Sequence, residues 1–326
     1  MDTLVIDQRG TCLAQQAGAL VIRLPNQRPH SVPFGQISRI ILAGSVNIDS
    51  TLLTHLAEHG ISLIAMPGRG ARRNAFLYGM GHGDASRRLG QYRLIQCRDS
   101  LLRWARHFVS LKIIGDRRLL MHALFTRPDL RLSLTRGIDG LQSALKNAQR
   151  VDNVASLRGV EGAASARFFA AYRSLFAPAL EFNDRNRRPP RDPVNAALSL
   201  GYTLAHSDAL RAITQAGLDP MLGFLHDPDH SRESMACDFV EMSRPRIERL
   251  VWRLFAERTL CADQFTLDGG ASRMGKAARQ VFFPAYEQQA GIHRTWFRRY
   301  SSHLARTCVA HFSSPCEGGR PEGSIP

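Results

Sequence analysis

The spacing of apolar residues changes once along this chain, and that change limits the fold more than any single motif does. From Thr3 to Gly79, short β-rich runs (TLVID, ALVIRLP, ISRIILAG, ISLIAMP, NAFLYG) are separated by turn residues such as Gly10, Gly18, Pro25, Pro33, Gly44, Gly60 and Gly68. One helical insert, TLLTHLAEHG, interrupts them, with Asp49 or Ser50 as its cap and Gly60 as its stop. The segment GMGHGDASRR, Gly79 to Arg88, reads as a hinge. Beyond it, apolar residues recur at helical spacing to about Phe312, and the final SSPCEGGRPEGSIP is too rich in Gly, Pro and Ser to pack. The expected fold class is therefore α+β: a β-rich domain over 1–80, a linker over 81–88, a larger all-α domain over 89–312, and a disordered tail over 313–326.

A chain of 326 residues with 44% hydrophobic content can close a real core. No apolar run approaches the ~18 residues a membrane-spanning helix needs, and the start, MDTLVIDQRG, lacks the regions of a signal peptide. The expectation is a cytoplasmic protein with no membrane partner. Six scattered cysteines without a C-x-x-C pair suggest neither a zinc finger nor a disulfide framework. Charge says more: 43 basic against 28 acidic residues leave +15, and Lys112, Lys146 and Lys276 are the only lysines. A GC-rich genome accounts for arginine in place of lysine but not for the net charge. Guanidinium forks bind phosphate oxygens in pairs and stack on bases, so the composition suits nucleic acid.

Within the helical part, NVASLRGVEGAASARFFAAYRSLF sets Val154, Leu157, Ala164, Phe168 and Leu175 on one stripe, and Glu161 falls inside it. Glu161 is either a buried acid paired with Arg158 or Arg167, or part of a site. Downstream, Arg185, Arg187, Arg188 and Arg191 surround a Pro-Pro pair in an extended basic loop able to track a phosphate backbone, or to lie solvated. A helix capped by Asp192 runs to Gly217, and His226 then ends the apolar turn MLGFLH. In the next helix Met235, Phe239 and Met242 form a packing stripe, while Asp238 and Glu241 share a neighbouring face beside Arg244 and Arg246. One Glu, one His and one Asp make a mixed O/N ligand set suited to Mg²⁺ or Mn²⁺. A cation so held stabilises the charge that gathers on a phosphodiester under attack.

The runs N-R-x-P-P-x-D-P-V-N-A-A-L-S (Asn186 to Ser199), A-G-L-D-P-M-L-G-F-L-H (Ala216 to His226) and C-D-F-V-E-M-S-R-P (Cys237 to Pro245) resemble the CRISPR-associated integrase of spacer acquisition, the family numbered one among CRISPR-associated proteins. R-G-x-E-G-x-A-S-A-x-F-F (Arg158 to Phe169) and the N-terminal pattern extend the likeness from about Leu4 to Phe255. The resemblance implies a metal-dependent DNA endonuclease and integrase that joins 3′-hydroxyl ends of short DNA to a repeat by transesterification. It carries over Glu161, His226 and Asp238 as catalytic metal ligands. Glu241 is expected to orient a ligand or to pair with Arg244 or Arg249, Asn195 to be structural or to support the ligands, and Arg185, Arg187, Arg188 and Arg191 to contact DNA. Implied partners are double-stranded DNA, a second copy joined through the sheet domain, and the second CRISPR-associated adaptation protein in a heterohexamer. Two alternatives remain: a stand-alone nuclease on branched DNA or a transposon-type integrase, and a non-catalytic arginine-rich DNA scaffold. After Cys261 no motif can be placed, and Arg294, Arg298 and Arg299 read either as DNA contacts or as packed residues.

Overall fold

The first unit, Met1–Gly83, is built on two four-stranded sheets and one helix. The structure, a computed structural model, describes residues 3–66, 74–79, 81–186, 189–227 and 232–313. In the first sheet, β1 (Thr3–Ile6), β5 (Arg39–Leu42) and β7 (Ser62–Ala65) run parallel, and β8 (Ala75–Leu77) closes the order β1-β5-β7-β8 antiparallel to β7. Parallel neighbours need a crossover, and α1 (Ser50–Glu58) lies on the β5-to-β7 connection, N-capped by Asp49, whose side chain accepts the Thr51 N–H at 2.9 Å. The four residues of β5 are all buried, as a covered parallel strand requires.

The second sheet orders β4 (His30–Pro33), β3 (Ala19–Arg23), β2 (Thr11–Gln16) and β6 (Val46–Ile48). Its β2–β3 hairpin turns on Ala17 and Gly18, both at positive φ (49° and 74°), the type I′ geometry that matches strand twist. Leu13, Leu20, Ile40, Leu52, Leu56 and Leu63 form part of one apolar core. The β-rich runs in the sequence mark β1, β3, β5, β7 and β8. Strands β2, β4 and β6 escape them, the last two being short and largely exposed.

The second unit, Asp84–Pro326, carries helices α2 (Ala85–Gln96), α3 (Arg98–Thr126), α4 (Arg131–Arg150), α5 (Val154–Tyr172), α6 (Pro193–Gln215), α7 (Ser234–Ala256) and α8 (Lys276–Ser313). Helix α2 claims part of the expected 81–88 linker, because the Asp84 side chain caps it by accepting the Ser86 N–H at 2.9 Å. At the other end, α8 runs on through Ser313, and the rest of the expected tail, 314–326, lies outside the described residues. One hairpin corrects the all-α expectation: β9 (Phe265–Asp268) pairs with β10 (Ala271–Met274) across Gly269 and Gly270, at φ 58° and 74°. Asp268-Gly269-Gly270 is a hairpin turn signal that helical reading passed over.

Long α3 packs on α4, α5 and α7, while α6 packs on α7 and α8, and α2 runs against α8. That last approach needs glycine. A Cβ on Gly90 would fall 1.8 Å from the Cys308 carbonyl oxygen. Facing one another, α3, α5 and α7 bring Lys112, Glu161 and Glu241 to one place.

Candidate active site

Asp238 sits one turn into α7, fully buried. Its Oδ2 accepts the backbone N–H groups of Phe224 (2.6 Å) and Leu225 (2.9 Å), and its Oδ1 accepts the His226 N–H (3.1 Å). His226 Nδ1 lies 2.6 Å from the same Oδ1; a carboxylate can only accept, so Nδ1 carries a proton, and in the neutral imidazole it is Nε2 that holds the lone pair. Asp238 therefore folds the chain back over itself and fixes the imidazole, with four N–H donors on its two oxygens. Gly223 makes room, since a Cβ there would come within 2.7 Å of Asp238 Oδ2. Phe224 anchors the turn from the inside, its ring 5.6 Å from Trp104 and 6.4 Å from Phe108 between centroids.

A second clamp holds the turn from α5. Arg158 Nε donates to the Leu225 carbonyl at 2.5 Å, and its guanidinium forks onto the Asp227 carboxylate. Ser234 Oγ donates to the Asp227 carbonyl at 2.8 Å. Arg158, one turn before Glu161, is thus spent on the His226 loop and not on Glu161.

Glu161, on α5, pairs with the Lys112 ammonium of α3 and accepts the Ser165 hydroxyl at 2.9 Å. The same ammonium lies 2.7 Å from Glu241 Oε2 and 2.9 Å from Ser165 Oγ. Glu241 Oε1 pairs with Arg244 at 2.9 Å, while Oε2 is buried against the Lys112 ammonium. Burial pushes the Glu241 carboxyl up, but Arg244 and then Lys112 outweigh it and hold it at about 2. Burial works against the Lys112 charge, yet Glu241 and Glu161 raise its pKa overall. His226 is close enough to Glu241 to act on it electrostatically.

Behind this pair, Asp116 and Glu248 are buried together, and burial followed by the neighbouring Glu248 raises Asp116 well above the usual carboxylate range. Burial also raises the Glu248 carboxyl, and Tyr202 donates its hydroxyl to Glu248 Oε1 at 2.6 Å. Arg244 lies over the Tyr202 ring, 4.9 Å from its centroid.

The expected residues thus meet in two contacts, His226 with Asp238 and Glu161 with Glu241 through Lys112. Among the described residues, the one trio of His, Cys, Asp or Glu whose ligand atoms already lie within 4.8 Å of one another is His55, Glu58 and His59, on α1 of the first unit. Asn195 is fully buried and structural: it donates to Asp184 O and Asp192 Oδ2 and accepts from Arg185 and the Asn186 N–H. Arg185 turns inward, onto Asn195 Oδ1 (2.6 Å) and the Tyr202 ring. Arg187 and Arg188 lie outside the described residues, and Arg191 is exposed. On α8, Arg294 is spent on Asp208 (3.0 Å) and Glu287 (2.9 Å), whereas Arg298, Arg299 and Arg306 line an open cleft.

Residues 4–288 match the sequence model of the family described as CRISPR associated protein Cas1. The chain belongs to the Cas1 family. Among Cas1 relatives, CRISPR-associated endonuclease Cas1 1 of Thermodesulfovibrio yellowstonii is 33% identical over 309 residues, covering 94% of this chain and 96% of that one. CRISPR-associated endonuclease Cas1 1 of Chlorobaculum tepidum is 30% identical over 89% of this chain and 86% of its own. In structure the chain is similar to TM1797, a CAS1 protein from Thermotoga maritima, with TM-score 0.80, 22% identity, and coverage of 93% and 97%. It is also similar to a casposase bound to integration product, with TM-score 0.82, 18% identity, and coverage of 99% and 96%. These two likenesses concern the fold.

In this Cas1-family chain, the side chains gathered around Glu161, His226, Asp238 and Glu241 include Lys112 and Asp227, which the sequence did not single out, and Arg158, which it had set against Glu161 and which binds Asp227 instead. Lys112 had one available signal: it is one of three lysines in a chain that otherwise uses arginine, and it is buried. The pairing of Arg158 with Asp227 had none, the two being 69 positions apart.

Proposed function

We propose that this chain is the endonuclease and integrase of CRISPR spacer acquisition, joining 3′-hydroxyl ends of short double-stranded DNA to a repeat. The observation that carries this is the convergence of Glu161 and Glu241 on a single cation, the Lys112 ammonium, beside an imidazole whose Nε2 is presented by Asp238. The donor set fits a divalent ion: two carboxylates and one lone-pair nitrogen, with a buried carboxylate oxygen set against a positive charge. Glu161, Glu241 and His226 Nε2 are the proposed holders. Asp238, whose oxygens are already filled by N–H donors, is proposed as the residue that positions His226, so it exchanges roles with Glu241 relative to the sequence expectation. Mg²⁺ and Mn²⁺ both suit the set. A bound ion supplies charge neutralisation at the attacked phosphate.

The protein's own part is to orient. Asp238 and Arg158 fix the His226 turn, Arg244 holds Glu241 ionised, and the arginine excess holds the phosphate backbone. In the joining step the bond from the incoming 3′-oxygen to phosphorus forms as the bond to the outgoing oxygen breaks, and the proton passes from the first oxygen to the second. Arg191 and the cleft lined by Arg298, Arg299 and Arg306 are the proposed DNA contacts. Solved chains similar to this one include part of a Cas6-RT-Cas1–Cas2 complex (TM-score 0.78, 19% identity) and a TtCas1–DNA complex (TM-score 0.54, 18% identity). They support DNA and Cas2 as partners, and a second copy joined through the sheet unit is proposed beside them. Among the described residues no helix is long and apolar enough to cross a membrane, and a cytoplasmic site of action is proposed.

The test incubates the protein with a 3′-hydroxyl duplex and a supercoiled repeat-bearing plasmid, in Mn²⁺ or in chelator. Ion-dependent joining that His226→Ala abolishes while DNA binding persists is expected. Equal joining by His226→Ala, or in chelator, would sink the reading.

A further inference from the structure

Glu161 and Glu241 are held together by a side chain that the joining chemistry does not use. We infer that Lys112 is a built-in counter-cation: its ammonium stands between the two carboxylates where a divalent ion would bind, and it must withdraw before the ion can enter. This rests on the reading that Glu161 and Glu241 hold that ion.

Three observations support it. Lys112 engages one oxygen of each acid, Oε1 of Glu161 and Oε2 of Glu241, while the other oxygen of Glu241 belongs to Arg244. A cation bridging the same two acids competes for those oxygens. Among the side chains in direct contact, Glu161 and Glu241 are already matched by Lys112 and Arg244, in a region where Lys112, Glu241 and Arg244 are largely buried. Adding a dication without losing the ammonium would leave two uncompensated positive charges away from water, which is costly. Finally, with the ammonium in contact with both acids, the ligand atoms of Glu161, His226 and Glu241 do not form a set within 4.8 Å of one another, so this arrangement is not the closed ion site. Closing them around a smaller ion requires the wedge to leave.

The apoprotein gains from the arrangement. Without Lys112, Glu161 would lose its cation and Glu241 would keep only Arg244, so the lysine holds the acids of α5 and α7 together in the absence of metal. Ser165, whose hydroxyl lies 2.9 Å from the ammonium, and Asp116, one turn along α3 and attracted to it, are polar neighbours toward which a four-carbon stem can retreat.

The test measures Mn²⁺ binding to the full chain by the electron paramagnetic resonance of free Mn²⁺, for the parent, Lys112→Met and Lys112→Arg. Glu161→Gln serves as the blank for ions held elsewhere, as at His55, Glu58 and His59. Melting curves are recorded with chelator and with Mn²⁺. Removing a competitor that occupies the site most of the time should tighten Mn²⁺ binding about tenfold or more in Lys112→Met. The same variant should melt lower than the parent in chelator and recover in Mn²⁺. Lys112→Arg, which keeps the charge and can grip both carboxylates at once, should bind Mn²⁺ more weakly than the parent. It decides the question if Lys112→Met fails to fold. Lys112→Met binding no tighter than the parent, or Lys112→Arg binding equally well, overturns the inference while leaving the ion site standing. A parent that binds no more Mn²⁺ than the Glu161→Gln blank overturns the ion site itself, and the inference with it.

Discussion

The two units bury different things. In the first, the interior is apolar, and Arg39 is the one charged residue buried among the described positions. In the second, Lys112, Asp116, Asp192, Asp208, Asp238, Glu241 and Glu248 are all buried, most of them in or behind the candidate site. Hydrophobic burial suffices for a sheet unit that has only to hold its shape. Buried charge is expensive unless each group is met by a partner, so its concentration on α3 and α7 marks where the chain gives up easy stability for chemistry.

The contrast breaks first at the largest expected effect. Truncating His226 or Glu241 to alanine should reduce strand joining by about a thousandfold or more, on the scale of losing a catalytic ion. A core truncation in the first unit, Leu52→Ala, should leave joining per folded molecule unchanged. Gel assays on matched folded fractions compare them.

Stability follows. Asp238→Ala leaves three backbone N–H groups and an imidazole without their acceptor and should cost about 3–5 kcal/mol. Leu52→Ala, an ordinary cavity, should cost about 2–4 kcal/mol. Denaturant titrations read both, and equal losses with normal His226-dependent activity in Asp238→Ala would remove the positioning role.

Acid separates the units more gently. Glu241 is held at about 2, below the range of an unfolded glutamate, so its contribution is present above that range and is lost as pH falls through it toward 2. The loss should be on the order of 2–3 kcal/mol, visible in melts from pH 5 downward, and Glu241→Gln should flatten it. Asp116 acts in the opposite direction, because burial raises it: its contribution weakens as pH rises above the range of an unfolded aspartate, and Asp116→Asn should remove that slope. Arg158→Gln should cost about 10- to 100-fold in joining, the usual effect of loosening a ligand's support, while melting changes little. The smallest effect is expected from Arg191→Ala, roughly 1 kcal/mol or less in DNA affinity and weaker still at high salt.

The change of periodicity near Gly79 was legible because helices and strands space their apolar residues differently, and the units divide there. Strands β4 and β6 were not legible, since half-exposed runs of three or four residues carry too few apolar positions to show a period. The β9–β10 hairpin was legible in Asp268-Gly269-Gly270 and was passed over because helical patterns surround it. In the site, Glu161 and His226 stood out as polar groups in apolar context. What the sequence could not settle was the division of labour between Asp238 and Glu241. They are three residues apart on one helix, and only the fold of the Gly223–His226 turn determines which carboxylate is filled by N–H donors. Arg185 shows the same limit, a basic loop residue that turns inward because Asn195 and Tyr202 wait for it.

Anomalous diffraction from crystals grown in Mn²⁺ tests the central claim most directly. The account predicts one peak bonded to Glu161, Glu241 and His226, with Asp238 still bound to the backbone of residues 224–226 and Lys112 drawn away from the acids. A peak coordinated by Asp238 in place of Glu241, or peaks only at His55, Glu58 and His59, would contradict it.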